Sequence, residues 1–167
     1  MSKIARIFTH LCAAPAARSF NAEALAKIGA QIASCESEHR GEIVFAVEGD
    51  IPLRDLWRNV SARDRALTAF AHLNVWNTAA NNGVLIYLLL AEHRIEIVAD
   101  RGFDASVSAE QWRGVCQLME EQFRAGDPLE AVLRGIRAVS DLVAEHFPQL
   151  PGHVDEDELP NPPRILR

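Results

Sequence analysis

The chain has few of the residues that disulfide frameworks and zinc sites require. Its three cysteines are odd in number and widely spaced, and they form no CxxC pair. Its six histidines show no HxH or HExxH spacing, and the sequence contains no P-loop, GxGxxG or GxSxG motif. These absences argue against a disulfide framework and a zinc site. Reduced, mostly buried thiols are typical of a cytoplasmic protein, which is the location we expect.

Long apolar runs and an excess of positive charge are also missing. The best apolar run, Val84 to Ala91, is far shorter than the ~20 residues that a membrane-spanning helix needs. With 17 Lys and Arg against 23 Asp and Glu, the formal charge is -6. Nucleic-acid binders usually carry a basic footprint, because phosphate contacts supply most of their non-specific affinity. We therefore expect no transmembrane segment and no nucleic-acid partner.

What the sequence does contain suffices for one domain. Its 167 residues are 49% hydrophobic and 24% charged, enough to bury a single core. We expect three regions along the chain: a basic helical extension at residues 1–20, the domain at residues 21–148, and a disordered, acidic, proline-rich tail at residues 149–167.

The extension has helical periodicity, with the apolar residues Ile4, Ile7, Phe8 and Leu11 on one face. This pattern predicts a short helix that docks onto the domain through that face. A basic amphipathic segment could alternatively touch an anionic membrane, but its few charges would make that contact weak.

The domain alternates helical patterns with strand patterns. Glu42 to Glu48 is typical of a strand whose terminal glutamates are solvated, and Val84 to Ala91 is typical of a strand covered on both faces. The tight turn Glu92-His93-Arg94 then leads into a third strand ending at Ala99, which predicts a β-hairpin. Helical spacing before, between and after these strands predicts an α/β fold: a three-layer α/β/α sandwich with a small mixed sheet and helices on both faces.

Several of these segments carry a resemblance to the TPM domain family. They are Gly41-Glu42-Ile43, Asn82-Gly83-Val84-Leu85-Ile86, the hairpin from Arg94 to Gly102, and Phe123-Arg124-Ala125-Gly126-Asp127 with Gly135-Ile136. The resemblance extends from about Ala22 to Phe147 and implies the family fold. Family members have been linked to acid phosphatase activity, to divalent metal binding, and to the assembly and repair of membrane complexes. This chain looks like the stand-alone cytoplasmic branch of the family.

Ligands in open α/β sheets bind at strand ends, so the candidate site residues are those of the loops there. We expect three loops to converge, residues 48–50, 74–82 and 100–104, although this convergence depends on a strand order that only the resemblance implies. Ca²⁺ and Mg²⁺ prefer oxygen ligands, which could come from Asp50, Asn81, Asn82, Asp100 and Asp104. Phosphate could bind Arg101. Where family members often carry acids before the Asn-Gly turn, this chain has Thr78-Ala79-Ala80, which makes a metal site poorer in charge.

Each of these residues also has a local explanation. Asn81 and Asn82 suit a turn, Asp100 and Asp104 suit caps, and Arg101 could pair with either carboxylate on the surface. Two functional hypotheses follow. The first is a binding or assembly module that contacts a protein or a membrane complex, with a divalent ion shaping its loops. The alternative is a metal-assisted acid phosphatase in which Arg101 neutralises charge on a phosphoester, but no convincing nucleophile is present.

Overall fold

The computed structural model describes residues 3–11, 15–150 and 158–166. Within them lie seven α-helices and four strands, which follow one another as α1 Lys3–Leu11, α2 Ala16–Ser19, α3 Ala22–Glu36, β1 Glu42–Glu48, α4 Leu53–Trp57, α5 Ala62–His72, β2 Gly83–Leu89, β3 Arg94–Ala99, α6 Ala109–Arg124, α7 Pro128–His146 and β4 Arg164–Leu166. Single turns of 3-10 helix, Leu90–Glu92 and Arg101–Phe103, follow β2 and β3.

The four strands form one mixed sheet in the order β3-β2-β1-β4. β1 runs parallel to both β2 and β4, and β2 and β3 form the predicted antiparallel hairpin. The hairpin reverses at His93, whose φ of 48° lies in the left-handed region. The small mixed sheet and the hairpin predicted from the sequence are therefore confirmed.

Helices cover both faces of this sheet. α3, α6 and α7 pack on one face, against a core that includes Phe45, Ile86 and Ile97. α4 and α5 pack on the other face, against a core that includes Val44, Leu85 and Val98. Every residue of β1 and β2 is buried, because a strand between two helical layers has no solvated side. The structure confirms the α/β/α sandwich.

The helix ends follow the chemistry of their sequences. The side chain of Asn21 accepts a hydrogen bond from the backbone N–H of Ala24, and Ser61 forms a reciprocal capping box with Asp64. Ser108 forms the same motif with Gln111. Within the described residues, no helix combines the length and the hydropathy needed to cross a bilayer.

The predicted disorder of the tail is wrong for residues 158–166. Arg164 to Leu166 pair with Ala46 to Glu48 of β1, and Leu159 is buried. The carboxylate of Glu42 accepts hydrogen bonds from the backbone N–H groups of residues 158 and 159, at 3.2 and 3.1 Å. Proline and acid content indicated disorder, whereas a buried acceptor on β1 holds this segment in place. The acidic residues 155–157 lie outside the described residues.

The N-terminal helix forms as predicted, but its apolar face does not dock. Ile4, Phe8 and Leu11 are 72%, 65% and 62% exposed, and only Ile7 packs against the core. The contacts come instead from polar residues, since Arg6 and His10 both bind the carboxylate of Glu92. The sequence prediction identified the helix and assigned the wrong face to the domain.

A buried ion pair joins α5 to the sheet. Glu48 is completely buried, and its carboxylate accepts hydrogen bonds from the Tyr87 hydroxyl and from two nitrogens of Arg65, with the Arg65 Nε at 3.0 Å. Burial and the neighbouring Glu48 raise the pKa of Tyr87, which therefore stays protonated and donates to the carboxylate. The expectation that Glu48 is solvated is wrong, because three donors replace its water shell.

We predict that Glu48→Gln lowers the free energy of unfolding by about 3 kcal/mol or more, because it leaves the guanidinium of Arg65 in a largely buried site without its main carboxylate partner. Urea unfolding at neutral pH would measure the loss. The matched control is Glu38→Gln, since Glu38 also accepts two hydrogen bonds from an arginine, Arg137, but on the surface. A similar loss in the two variants would contradict the importance of burial.

Candidate functional site

Two loops meet at the end of the sheet where β2 begins and β3 ends. The backbone N–H of Gly102 donates to the carbonyl of Asn81 at 3.0 Å, and the Nε of Arg101 donates to the Asn81 side-chain oxygen at 2.8 Å. Asp100 continues the strand pairing through its N–H, which donates to the carbonyl of Gly83 at 2.9 Å. We call the group Asn81, Asn82, Asp100 and Arg101 the Asn81–Arg101 edge.

The close approach of these loops depends on two glycines. A Cβ on Gly83 would lie 2.0 Å from the carbonyl oxygen of Val75, and a Cβ on Gly102 would lie 2.4 Å from that of Asn81. The positive φ expected of this turn falls on Asn81, at 52°, and asparagine tolerates it. The Asn-Asn-Gly turn is therefore confirmed. Gly83 is required there because any side chain would overlap the backbone of Val75, whereas the positive φ falls on Asn81.

Asp100 and Asn82 each use one side-chain atom in a hydrogen bond and leave one oxygen without a donor among the described residues. Oδ1 of Asp100 accepts from the N–H of Arg101 at 2.8 Å, which caps the following turn, and the Nδ2 of Asn82 donates to the carbonyl of Arg40. Oδ2 of Asp100 and Oδ1 of Asn82 are buried and accept no hydrogen bond from the described residues. The predicted cap by Asp100 is present, whereas the side chain of Asn82 bonds a residue that is distant in sequence, and two acceptors remain that the turn does not use.

Arg101 presents a positioned cation. Its side chain is exposed, and the described residues place no carboxylate within ion-pair distance of the guanidinium. The expected surface pair with Asp100 or Asp104 does not form. Its Nε is fixed by Asn81, so the terminal nitrogens are left as donors toward solvent. A planar guanidinium held in this way suits a carboxylate or a phosphate group.

The predicted convergence of three loops is wrong, because Asp50 lies at the opposite end of the sheet. β1 and β2 are parallel, with Glu42 beside Gly83 and Glu48 beside Leu89. A loop that follows β1 is thus separated from a loop that precedes β2 by the length of the strand, ~20 Å for seven residues. Asp104 does lie near the Asn81–Arg101 edge, where its N–H donates to the carbonyl of Arg101 at 3.1 Å, and its side chain is exposed.

The carboxylates at this edge are therefore few. In residues 3–11, 15–150 and 158–166 no group of three or more His, Cys, Asp or Glu side chains could hold a metal ion. Neither of the two cysteines in the described part of the chain adds a reactive thiol, since Cys35 is buried and burial raises the pKa of Cys116 to about 11. A thiol with that pKa is protonated at neutral pH.

Sequence reasoning missed the buried polar residues that flank the site. His39 is 1% exposed, its Nδ1 accepts from the N–H of Gly41 at 3.2 Å, and its backbone bridges to Pro148. Burial lowers the pKa of His39. The neighbouring carbonyl of Arg40 accepts a hydrogen bond from the side chain of Asn82, so this loop helps to fix Asn82 within the Asn81–Arg101 edge. No spacing signal marks His39, because its role depends on contacts with the distant C-terminal end of α7.

Comparison with known proteins gives the family of this fold and edge. The family model that describes the TPM domain matches residues 15–142, well over half of the chain. The chain belongs to the TPM domain family. This confirms the resemblance inferred from the strand and turn motifs. No curated protein matches the chain.

Two solved structures are similar to this TPM domain. The NMR structure of the BA42 protein from the psychrophilic bacterium Bizionia argentinensis has a TM-score of 0.75 and 28% identity, and the match covers 87% of this chain and 94% of that one. The N-terminal domain of a P. gingivalis protein has a TM-score of 0.57 and 22% identity, with 78% and 83% covered. The second likeness is one of fold alone.

The packing of Gly102 against Asn81 gives a direct test of the edge. Gly102→Ala is expected to lower the free energy of unfolding by about 1–3 kcal/mol, because the new methyl group overlaps a backbone carbonyl. The helical control Gly114→Ala meets no atom within 4 Å and is expected to stabilise the domain by up to about 1 kcal/mol. Chemical denaturation measures both, and equal effects would contradict the close approach.

The lowered pKa of His39 predicts a pH dependence. The unfolded chain binds a proton at His39 more readily than the folded chain does, so this contribution to stability is present above pH 6.5 and is lost as the pH falls through the lower, folded pKa. His39→Asn keeps an acceptor for the N–H of Gly41 and is expected to reduce the loss of stability between pH 7.5 and 5 in urea titrations. The exposed His72→Asn is the control, and an unchanged pH profile for His39→Asn would refute the assignment.

Proposed function

We propose that this TPM domain is a binding module that recognises an anionic group of a protein or membrane-complex partner at the Asn81–Arg101 edge. One observation carries the proposal: Arg101 is exposed, has no carboxylate partner among the described residues, and is fixed in place by Asn81. An arginine ordered in advance loses less conformational freedom when it binds. This arrangement supports recognition of a carboxylate or a phosphate.

The proposal also includes a divalent ion that binds weakly at the Asn81–Arg101 edge. Oδ2 of Asp100 supports it, since this buried oxygen accepts no hydrogen bond from the described residues, and Asp104 is exposed nearby. The amide oxygen of Asn82 is likewise buried without a donor among the described residues, whereas that of Asn81 is engaged by Arg101 and Asp50 is at the other end of the sheet. Ca²⁺ takes 6–8 oxygen ligands, so two carboxylates fit a tight site poorly. We expect Ca²⁺ or Mg²⁺ to bind with millimolar affinity or weaker.

The alternative is a metal-assisted acid phosphatase that uses the same arginine to neutralise a phosphoryl group. Arg101 favours this alternative as much as it favours binding. A phosphatase also needs a nucleophile or a positioned water. The nearest hydroxyl in the preceding loop, that of Thr78, accepts the N–H of Asn82 at 3.0 Å and is buried. Binding is therefore the better supported function.

Amide NMR titration tests the binding function with four probes: inorganic phosphate, acetate, Ca²⁺ and Mg²⁺. We expect phosphate or acetate to shift the signals of Asn81, Arg101 and Gly102, and Arg101→Gln to abolish these shifts because it removes the charge. The control is Arg113→Gln, which removes an exposed arginine on α6. Shifts that persist in Arg101→Gln, or a spectrum that no anion perturbs, would refute the assignment.

The same samples separate binding from catalysis. A phosphoester such as p-nitrophenyl phosphate, incubated with the protein and Mg²⁺ or Ca²⁺ at acidic pH, is expected to remain intact. Turnover that disappears in both Asp100→Ala and Asp104→Ala, with the fold preserved by circular dichroism, would establish the phosphatase instead.

A further inference from the structure

Two helices expose a continuous set of large apolar side chains at the end of the sheet opposite the Asn81–Arg101 edge. α1 contributes Ile4, Phe8 and Leu11, and α4 contributes Leu53 and Trp57, which are 47% and 64% exposed. α1 contacts both α4 and the turn that follows β2. We call these five residues the α1/α4 face. Exposed apolar groups of this size, gathered in one place, mark an interaction site.

Polar contacts hold α1 in the orientation that exposes this face. The Nε of Arg6 donates to Glu92 at 2.6 Å, and a terminal nitrogen of Arg6 donates to the carbonyl of Val60 at 2.8 Å. His10 is 4% exposed, lies 2.8 Å from the same carboxylate, and accepts the N–H of Ile51 at 3.0 Å. Burial opposes the charge of Glu92, but the hydrogen bonds from His10 and Arg6 outweigh it and lower the pKa of its carboxyl. The helix is thus anchored by its polar side.

Among the described residues, exposed basic side chains outnumber exposed acids around the α1/α4 face, in contrast to the net charge of the chain. The Nζ of Lys3 lies 5.8 Å from the ring centroid of Trp57, and Arg54 and Arg58 are exposed on α4 and at its end. The nearby carboxylate of Asp55 is largely buried and pairs with Arg54 and Arg65. Asp50 is the exposed acid that the described residues place in this region. A chain of formal charge -6 therefore carries its apolar patch in a locally basic setting.

A cavity of about 300 Å³ opens beside this face. Its lining consists of Leu11, Ile51, Leu53 and Leu56, with His10 and Asp50 as its polar members. Two of the apolar lining residues also belong to the α1/α4 face, so the surface is continuous with a recess that could take an apolar chain.

We propose that the α1/α4 face docks on the surface of an anionic lipid bilayer. An interfacial helix lies flat, buries its apolar side at the boundary between headgroups and acyl chains, and gains from basic residues near anionic lipids. Tryptophan is enriched at this boundary. α1 has these features, because its polar side is anchored to the domain, its apolar side is exposed, and Lys3 and Trp57 lie beside it. A protein partner or a second copy of the chain would not require the basic residues Lys3, Arg54 and Arg58 around the face. The site is separate from the anion site proposed above.

The test is flotation of the full chain with vesicles of phosphatidylcholine alone and of equimolar phosphatidylcholine and phosphatidylserine. We expect binding to the anionic vesicles only, weakened by high salt. Phe8→Ser combined with Leu11→Ser is expected to reduce partitioning by about tenfold or more, because it removes two apolar anchors. The matched control, Leu118→Ser, replaces a 44% exposed leucine on α6 and is expected to change nothing.

Charge reversal separates the electrostatic contribution from the apolar one. Lys3→Glu with Arg58→Glu is expected to abolish binding to anionic vesicles, whereas Arg113→Glu with Arg134→Glu makes the same change in net charge elsewhere and is expected to retain it. Unfolding midpoints confirm that each variant is folded. The proposal is overturned if the wild-type chain fails to float with anionic vesicles, if binding survives the apolar and charge variants, or if the face instead drives self-association detected by light scattering.

Discussion

The parallel pairing of β1 with β2 is the contact on which the other features of this domain depend. Both strands are apolar along their length and buried on both faces, so helices must cover each side. A parallel connection also has to cross the sheet, and α4 and α5 occupy that crossover. The same pairing separates the chain's loops into two groups at opposite ends of the sheet, which gives the Asn81–Arg101 edge and the α1/α4 face their independence.

The two glutamates at the ends of β1 complete this arrangement. Glu42 accepts backbone hydrogen bonds from the segment that leads to β4, while Glu48 accepts from Arg65 and Tyr87. Each carboxylate is buried where a strand end would otherwise leave polar groups unpaired. One glutamate therefore holds the C-terminal segment and the other holds α5, so the ends of a single strand organise elements that are distant in sequence.

Local signals in the sequence predicted a large part of this structure. β1 has its predicted bounds, and the Asn-Asn-Gly turn and the hairpin follow from turn chemistry. The failures share a cause. Asp50, Glu48 and the side of α1 that docks depend on contacts between distant segments, and β4 is three residues long in a proline-rich context. Periodicity reports which residues are apolar, and it does not report which surfaces meet.

The position of β4 has a consequence for how the domain is made. Its partner, β1, precedes it by more than a hundred residues, so this edge of the sheet closes through contacts of very high sequence separation. During synthesis, β1, β2 and β3 can pair while the outer side of β1 still lacks a neighbour. The nascent chain thus passes through a stage with an open parallel edge, the kind of surface on which a chaperone or another strand can act before residues 164–166 arrive.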